Sequence, residues 1–129
     1  MNPIIEKQFL EIKEHYQSST IKELLDGKFL ITVPDVVIPE GWNKKQVTIW
    51  FIVPLGYPVA KPCHFWSDED LRLIDGITVS NIPLNASFTQ TPNEEVKLWF
   101  SWCPNTWNPN RHDLLTYLNI IKTRFRELK

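Results

Sequence analysis

The sequence predicts an α+β domain in which an N-terminal helix, an antiparallel β-meander and a C-terminal helix share one core. Apolar residues recur at helical spacing near both ends of the chain, whereas short β-branched and aromatic runs occupy its middle. A proline-rich connection and an irregular loop separate those runs from the last helix. Because 129 residues suit one domain with a real core, we expect a single domain over residues 1–129.

The first helix is predicted from apolar residues at helical spacing, namely Ile4, Ile5, Phe9, Ile12 and Tyr16. Asn2 suits the N-cap, and Pro3 suits the first helical position because no backbone donor is needed there. The pattern ends near residues 17–19, where the helix is expected to stop.

Two strand signals follow the helix. From Glu23 onward the pattern predicts strands joined by a tight turn at Asp26-Gly27, with residues 29–33 as the strand after the turn and Pro34 as its interruption. Residues 47–53 form a continuous β-branched and aromatic run, and both of its faces are largely apolar. This second strand should therefore be central and covered on both faces.

The segment after the second strand shows few sequence patterns that are typical of helices or strands. Three prolines in residues 54–62 exclude a helix or a central strand and predict a stiff, extended connection. Residues 63–66 are short enough for an edge strand before the acidic turn of residues 67–70. Residues 71–96, with an Asp75-Gly76 turn signal, are predicted to be mostly ordered loop with short pieces of regular structure.

The last helix carries the clearest pattern in the chain. Asn108 is the predicted N-cap and Pro109 the first helical residue. The predicted apolar face consists of Leu114, Leu115, Leu118, Ile121 and Phe125.

Composition excludes several classes of function. With a net charge of -1, the chain lacks the excess of basic residues that is typical of nucleic-acid-binding proteins. No apolar run approaches the roughly 20 residues of a membrane span, and the N-terminus turns charged too early for a signal peptide, so we expect a cytoplasmic protein. Glycine-rich phosphate loops, His-Glu-x-x-His runs and Gly-x-Ser-x-Gly elbows do not occur. We therefore expect no cofactor.

The chain has two cysteines, Cys63 and Cys103. Two cysteines alone cannot complete a tetrahedral zinc site, and a reducing cytosol disfavours pairing them. The sequence thus predicts two free thiols and no bound metal.

Two short motifs, in the right order, resemble those of the ubiquitin-conjugating enzyme (UBC) fold. Tyr57-Pro58 with Pro62 looks like the Tyr-Pro-x-x-x-Pro segment of that fold. Trp107-Asn108-Pro109 resembles its Trp-x-Pro, which precedes the crossover helix. The resemblance covers most of residues 3–128. Further short segments of the sequence are similar to a bacterial branch of this fold. Members of that branch tend to be encoded beside ubiquitin-like proteins, activating enzymes and deubiquitinase-like peptidases.

The resemblance implies thioester chemistry: a cysteine receives the C-terminal acyl group of a ubiquitin-like protein from an activating enzyme and passes it to an amine of a target protein. Cys103 lies in the expected loop, with Asn105 as the first candidate oxyanion donor and Asn85 as the second. His112 or Asp113 would deprotonate or orient the amine. The first helix would be the docking surface for the activating enzyme.

Departures from the family pattern keep two further hypotheses open. The usual family cysteine stands farther ahead of the Trp-x-Pro than Cys103 does, and in that register Trp99 takes its place. The His-Pro-Asn tripeptide is absent, and Pro83-Leu84-Asn85 resembles it only loosely.

The first alternative is a catalytically inactive UBC-fold module that binds a ubiquitin-like protein or a partner chain, with Cys103 as a small buried hydrophobe. The second is a structural subunit with a tryptophan-rich surface.

Overall fold

Two helices and a six-stranded antiparallel sheet form the core of the protein in a computed structural model that describes residues 2–74 and 79–129. The helices are α1 (Pro3–His15) and α2 (Leu114–Arg126). The strands are β1 (Thr20–Glu23), β2 (Phe29–Val37), β3 (Gln46–Val53), β4 (Phe65–Ser67), β5 (Leu73–Ile74), β6 (Val79–Asn81), β7 (Ala86–Gln90) and β8 (Val96–Phe100). The main sheet has the order β1-β2-β3-β4-β8-β7, and β5 pairs with β6 separately. The predicted α+β, UBC-like class is confirmed.

Helix α1 agrees with its prediction at both ends. The Asn2 side chain accepts the N–H of Ile4 at 2.8 Å, which caps the first turn. Buried Ile5, Phe9 and Ile12 face the core. Ile4 is 46% exposed, because successive helical residues are rotated by about 100° and Ile5 takes the inward position.

Strand β2 continues through Pro34, so the predicted interruption there is wrong. The pairing with β3 shifts between Val33 and Val36, which places Pro34 inside a β-bulge. A bulge residue does not donate to the ladder, so the missing N–H of proline costs no hydrogen bond. Asp35 in the same bulge has a φ of 61°, in the left-handed region.

Strand β3 is central, as predicted, but it is fully buried on one face only. Its inward residues, Val47, Ile49, Phe51 and Val53, are buried. On the other face Thr48, Trp50 and Ile52 are half-buried. The predicted cover of both faces is therefore only partly correct, since both helices contribute their buried residues to one core.

Strand β4 is not an edge strand, because β8 pairs with its other side. Trp66 faces Trp50 of β3 and Trp99 of β8. Strands β7 and β8 form a hairpin within and just beyond residues 71–96. Strand β7 is one of the short pieces expected there, but its place in the main sheet was not predicted. The Asp75-Gly76 turn signal lies outside the described residues.

The proline-rich connection folds into turns, and the predicted extended form is wrong. Backbone hydrogen bonds join Tyr57 to Pro54 at 3.3 Å and Ala60 to Gly56 at 3.0 Å. The turns bury the Tyr57 ring, which lies 6.0 Å from the Trp107 ring. Burial of that ring favours the compact form over an extended one.

Helix α2 begins later than predicted. Asp113 is its N-cap, with a carboxylate oxygen that accepts the N–H of Thr116 at 2.8 Å. Asn108 instead accepts the N–H of Asn110 within a separate turn at 2.9 Å. The predicted face is confirmed for Leu114, Leu118, Ile121 and Phe125, whereas Leu115 is half-buried. None of the helices described within residues 2–74 and 79–129 is long and apolar enough to cross a membrane.

The corrected cap leads to a stability prediction. Asp113→Ala should lower the free energy of unfolding by about 1 kcal/mol, measured by urea denaturation, because two donors of Thr116 lose their acceptor. Asn108→Ala is the matched control, and its loss should stay within about 0.5 kcal/mol. A larger loss for Asn108→Ala than for Asp113→Ala would place the cap at Asn108 after all.

Candidate active site at the cysteine pair

Cys63 and Cys103 lie on adjacent segments that are joined by hydrogen bonds. The His64 N–H donates to the Trp102 carbonyl at 2.8 Å, and the Lys61 ammonium donates to the Pro104 carbonyl at 3.3 Å. The Cα atoms of the two cysteines are 4.7 Å apart, within the span of a disulfide, and their sulfurs are bonded. The prediction of two free thiols is therefore wrong. A sequence separation of 40 residues hid the pair, because only the pairing of β4 with β8 brings the cysteines together.

His64 presents an N–H to this pair. Its Nδ1 accepts the backbone N–H of Trp102 at 3.2 Å, and its Nε2 lies 3.6 Å from the Cys63 sulfur. A neutral imidazole carries one proton, so a ring whose Nδ1 is an acceptor carries that proton on Nε2. The imidazole is thus a hydrogen-bond donor toward the Cys63 sulfur.

The conformation of His64 is held from several sides. Its φ of 63° is uncommon for a residue with a side chain, although histidine is among the residues that adopt it more often. The Tyr117 hydroxyl donates to the His64 carbonyl at 2.8 Å, and the Trp99 ring lies 4.8 Å from the imidazole. Burial raises the pKa of Tyr117, so its hydroxyl stays protonated and remains a donor. The imidazole is therefore pre-positioned.

An aromatic floor supports both cysteine segments. The fully buried Phe65 ring stacks on Phe100 at 4.6 Å and lies 6.1 Å from the Trp102 ring. Cys63 and Cys103 themselves are only half-buried. The two cysteines thus lie on segments that are anchored by buried aromatic rings, and both residues are themselves partly exposed.

The two candidate oxyanion donors flank the segment that carries Cys103. Asn105 is exposed and follows Cys103 by two positions. The Asn85 carbonyl accepts the N–H of Ser101 at 2.9 Å, which ties the loop before β7 to the segment that leads to Cys103. The Asn85 side chain is exposed, and its φ of 59° suits asparagine.

His112 and Asp113 occupy a different place, next to α1. Both line a shallow pocket together with Gln8. His112 accepts the backbone N–H of Asn108 on Nδ1 at 3.0 Å, and Asp113 uses Oδ1 for the helix cap. Within residues 2–74 and 79–129, the one group of three or more converging Cys, His and acidic side chains contains Cys103 but neither of these two residues.

The two motifs that carry the family resemblance contact each other. The Tyr57 hydroxyl donates to the Gln8 side chain, whose oxygen also accepts the N–H of Leu114 at 3.1 Å. The Trp107 indole donates to the Pro58 carbonyl at 2.7 Å. Burial raises the pKa of Tyr57, so its hydroxyl remains a donor. These contacts fasten the loop before α2 to α1 and to the proline-rich connection.

The converging group offers three ligand atoms that lie within 4.8 Å of one another, from Cys63, His64 and Cys103. Structural zinc sites use four protein ligands, and a metal on Nε2 would force the ring proton onto Nδ1. That proton would face the Trp102 N–H, so two donors would oppose each other. The geometry therefore fits thiol chemistry better than metal binding.

Sequence reasoning missed Cys63 and His64 as site residues. The sequence pointed to Cys103 as the reactive cysteine and gave neither Cys63 nor His64 a role in the site. The available signal was the Cys63-His64 dipeptide itself, with a histidine next to one of only two cysteines. Its meaning depended on β8, which the sequence did not reveal as a strand.

The fold and the cysteine-bearing loop before α2 define a ubiquitin-conjugating-enzyme-like protein. The model of a protein family described as Prokaryotic E2 family E matches residues 4–127, and the chain belongs to this family. No curated protein and no solved structure matches the chain. Family membership supports a general role in conjugation, together with ubiquitin-like proteins and the enzymes that handle them.

Proposed function

We propose that this protein carries a ubiquitin-like modifier as a thioester on Cys103 and transfers it to an amine of a target protein. The observation that carries this proposal is the position of Cys103, which is half-buried on the segment after β8, next to a second sulfur and close to an imidazole. Partial exposure and nearby polar groups are what a reactive cysteine needs. Membership of the E2 family supports the same chemistry.

The loading step requires the reduced protein. The Cys103 thiolate attacks the carbonyl carbon of the modifier's C-terminal thioester on the activating enzyme. A new carbon–sulfur bond forms at Cys103, the old one breaks, and the cysteine of the activating enzyme leaves as a thiolate. One thioester replaces another, so the step needs positioning more than driving force.

The transfer step places negative charge on the carbonyl oxygen. The amine nitrogen attacks the thioester carbon, and the tetrahedral intermediate then expels the Cys103 thiolate while the amine proton passes to a base. Asn105 is the proposed first donor to the oxyanion and Asn85 the second. Such a donor stabilises the transition state by about 2.7–4 kcal/mol where it has been measured.

His112 and Asp113 are proposed to orient or deprotonate the incoming amine from the pocket next to α1, since neither belongs to the group around the Cys103 sulfur. The Nδ1 of His112 is engaged by a backbone N–H, which leaves Nε2–H to orient a partner. The Oδ1 atom of Asp113 accepts the hydrogen bond of the helix cap. We therefore propose that its Oδ2 atom accepts the proton from the amine.

A second candidate function is a non-catalytic module that binds a ubiquitin-like protein without a covalent step. The disulfide favours it, since a sulfur bonded to Cys63 cannot accept an acyl group. The absence of His-Pro-Asn points the same way. The module and the enzyme differ in one measurable property, the formation of a thiol-sensitive adduct.

The test is a loading reaction with the reduced protein, ATP, and an activating enzyme and ubiquitin-like protein of the kind that the family resemblance implies. On a non-reducing gel we expect a thiol-sensitive adduct with the wild-type protein. Cys103→Ala should abolish the adduct, and the matched control Cys63→Ala, the same change at the neighbouring sulfur, should keep it.

Two outcomes would overturn the proposal. A charged activating enzyme that yields no adduct with the wild-type protein would rule out the thioester, and capture of the modifier without a covalent bond would then support the binding module. An adduct that survives in Cys103→Ala and disappears in Cys63→Ala would show that Cys63, and not Cys103, carries the acyl group.

A further inference from the structure

We propose that Cys63 is a second functional thiol, which His64 holds as a thiolate and which closes onto Cys103 to shut off modifier loading. This inference rests on the proposed function of Cys103. Cys63 is the nucleophilic group that the proposed transfer leaves unused, although its sulfur is adjacent to the one that would carry the modifier. The two states of Cys103, thioester and disulfide, exclude each other because one sulfur cannot form both bonds.

The role of His64 in this pair is that of a donor and not of a base. Its Nδ1 lone pair is occupied by the N–H of Trp102, so the Nε2 proton is directed at the Cys63 sulfur from 3.6 Å. A hydrogen bond to the charged form of a group favours that form, so the N–H stabilises the thiolate over the thiol. His64 is therefore a positioning residue that keeps Cys63 ready to attack.

Other titratable groups around the pair do not oppose a thiolate. Within the segment of residues 61–64, the Lys61 ammonium reaches the Pro104 carbonyl beyond Cys103, and its positive charge favours a nearby anion. From α2, the Tyr117 hydroxyl donates to the His64 carbonyl and remains uncharged. The segment that carries Cys103 contributes the Trp102 N–H described above.

Closure of the disulfide requires a two-electron oxidant, for which we name a low-molecular-weight disulfide or, in vitro, the azo compound diamide. The Cys63 thiolate attacks the oxidant and forms a sulfur adduct. Cys103 then attacks the Cys63 sulfur, the S–S bond forms, and the reduced oxidant leaves. The two thiols together lose two electrons and two protons, which the oxidant takes up. The half-burial of both cysteines lets such a small reagent enter.

The first experiment measures the reactivity of Cys63 alone, in a Cys103→Ser background. The variant His64→Asn keeps an acceptor for the Trp102 N–H in its Oδ1 and tolerates the left-handed φ, but its shorter amide places no donor at the position of Nε2. We expect iodoacetamide alkylation at pH 7 to slow by about threefold to tenfold and the midpoint of the pH–rate profile to rise. His15→Gln, at the exposed end of α1, is the control and should leave the profile unchanged.

The second experiment tests whether the disulfide blocks loading of the modifier. Wild-type protein treated with diamide and then desalted should form no modifier adduct, and treatment with a reductant should restore it. Cys63→Ala treated in the same way should load in both conditions.

The outcomes separate this inference from the proposed function. Reduced wild-type protein that never loads would refute the thioester, while the alkylation profile would still report on Cys63 and His64. An unchanged profile in His64→Asn would overturn the role of His64. Equal loss of loading in wild type and Cys63→Ala after diamide would overturn the switch.

Discussion

Replacing Phe65 with alanine should lower the free energy of unfolding by about 3–5 kcal/mol. The ring is fully buried. Its centroid lies 4.6 Å from the ring centroid of Phe100, 5.8 Å from that of Phe125 and 6.1 Å from that of Trp102. None of these neighbours can fill the space without leaving its own contacts, so a cavity would remain. Urea denaturation with a fixed m-value measures the loss.

Phe88→Ala provides the matched control for this change. The Phe88 ring is 47% exposed on the edge strand β7, where it contacts the guanidinium of Arg72 at 5.4 Å. Its removal should cost less than about 1 kcal/mol. Equal losses for the two phenylalanines would show that the ring cluster does not anchor the core. Because Phe65 directly follows His64, the same variant should also slow the alkylation of Cys63, as loss of the His64 donor does.

Arg124→Ala should have the second-largest effect, a loss of about 2–3 kcal/mol in the free energy of unfolding. The side chain is only 4% exposed, and its guanidinium donates to the carbonyls of Leu84 at 3.1 Å, Glu127 at 3.1 Å and Lys129 at 2.7 Å. Burial lowers the pKa of Arg124, but the group stays charged at neutral pH. The truncation would remove three charge-assisted hydrogen bonds and the contact of the guanidinium with the Phe100 ring, whose centroid is 5.3 Å away.

Two variants separate this role from a general charge effect. Arg126→Ala removes an exposed arginine two positions later and should change stability by less than about 0.5 kcal/mol. Arg124→Lys should not restore stability, since one ammonium cannot match the planar fork that reaches separate carbonyls. A full rescue by lysine would contradict the geometric argument. Because Leu84 precedes Asn85, Arg124→Ala should also weaken transfer through the second proposed oxyanion donor.

Local signals were sufficient for several elements. Helix α1 begins where Asn2 and Pro3 indicate it, because its cap and first turn are formed by neighbours in sequence. Strand β3 has enough β-branched and aromatic residues to be recognised alone. The start of α2 was harder, since both Asn108 and Asp113 suit a cap and only the path of the chain past α1 selects Asp113.

Elements that depend on distant partners were missed. Strand β7 is an edge strand with a mixed polar pattern, and the register that pairs Phe88 with Leu98 gives it its conformation. Strand β4 became central only because β8 reached its other side. In each case the stabilising hydrogen bonds come from residues far apart in sequence, which periodicity does not report.

The sequence by itself determined the fold class, the family resemblance through the Tyr57-Pro58 and Trp107 motifs, and the candidate cysteine Cys103. Tertiary structure alone decided what surrounds that cysteine. Pairing of β4 with β8 brings together Cys63, His64 and Cys103, which stand 40 positions apart at their extremes, and turns two expected free thiols into a disulfide. Residue types specify which chemistry is available, whereas long-range packing fixes which atoms are close enough to perform it.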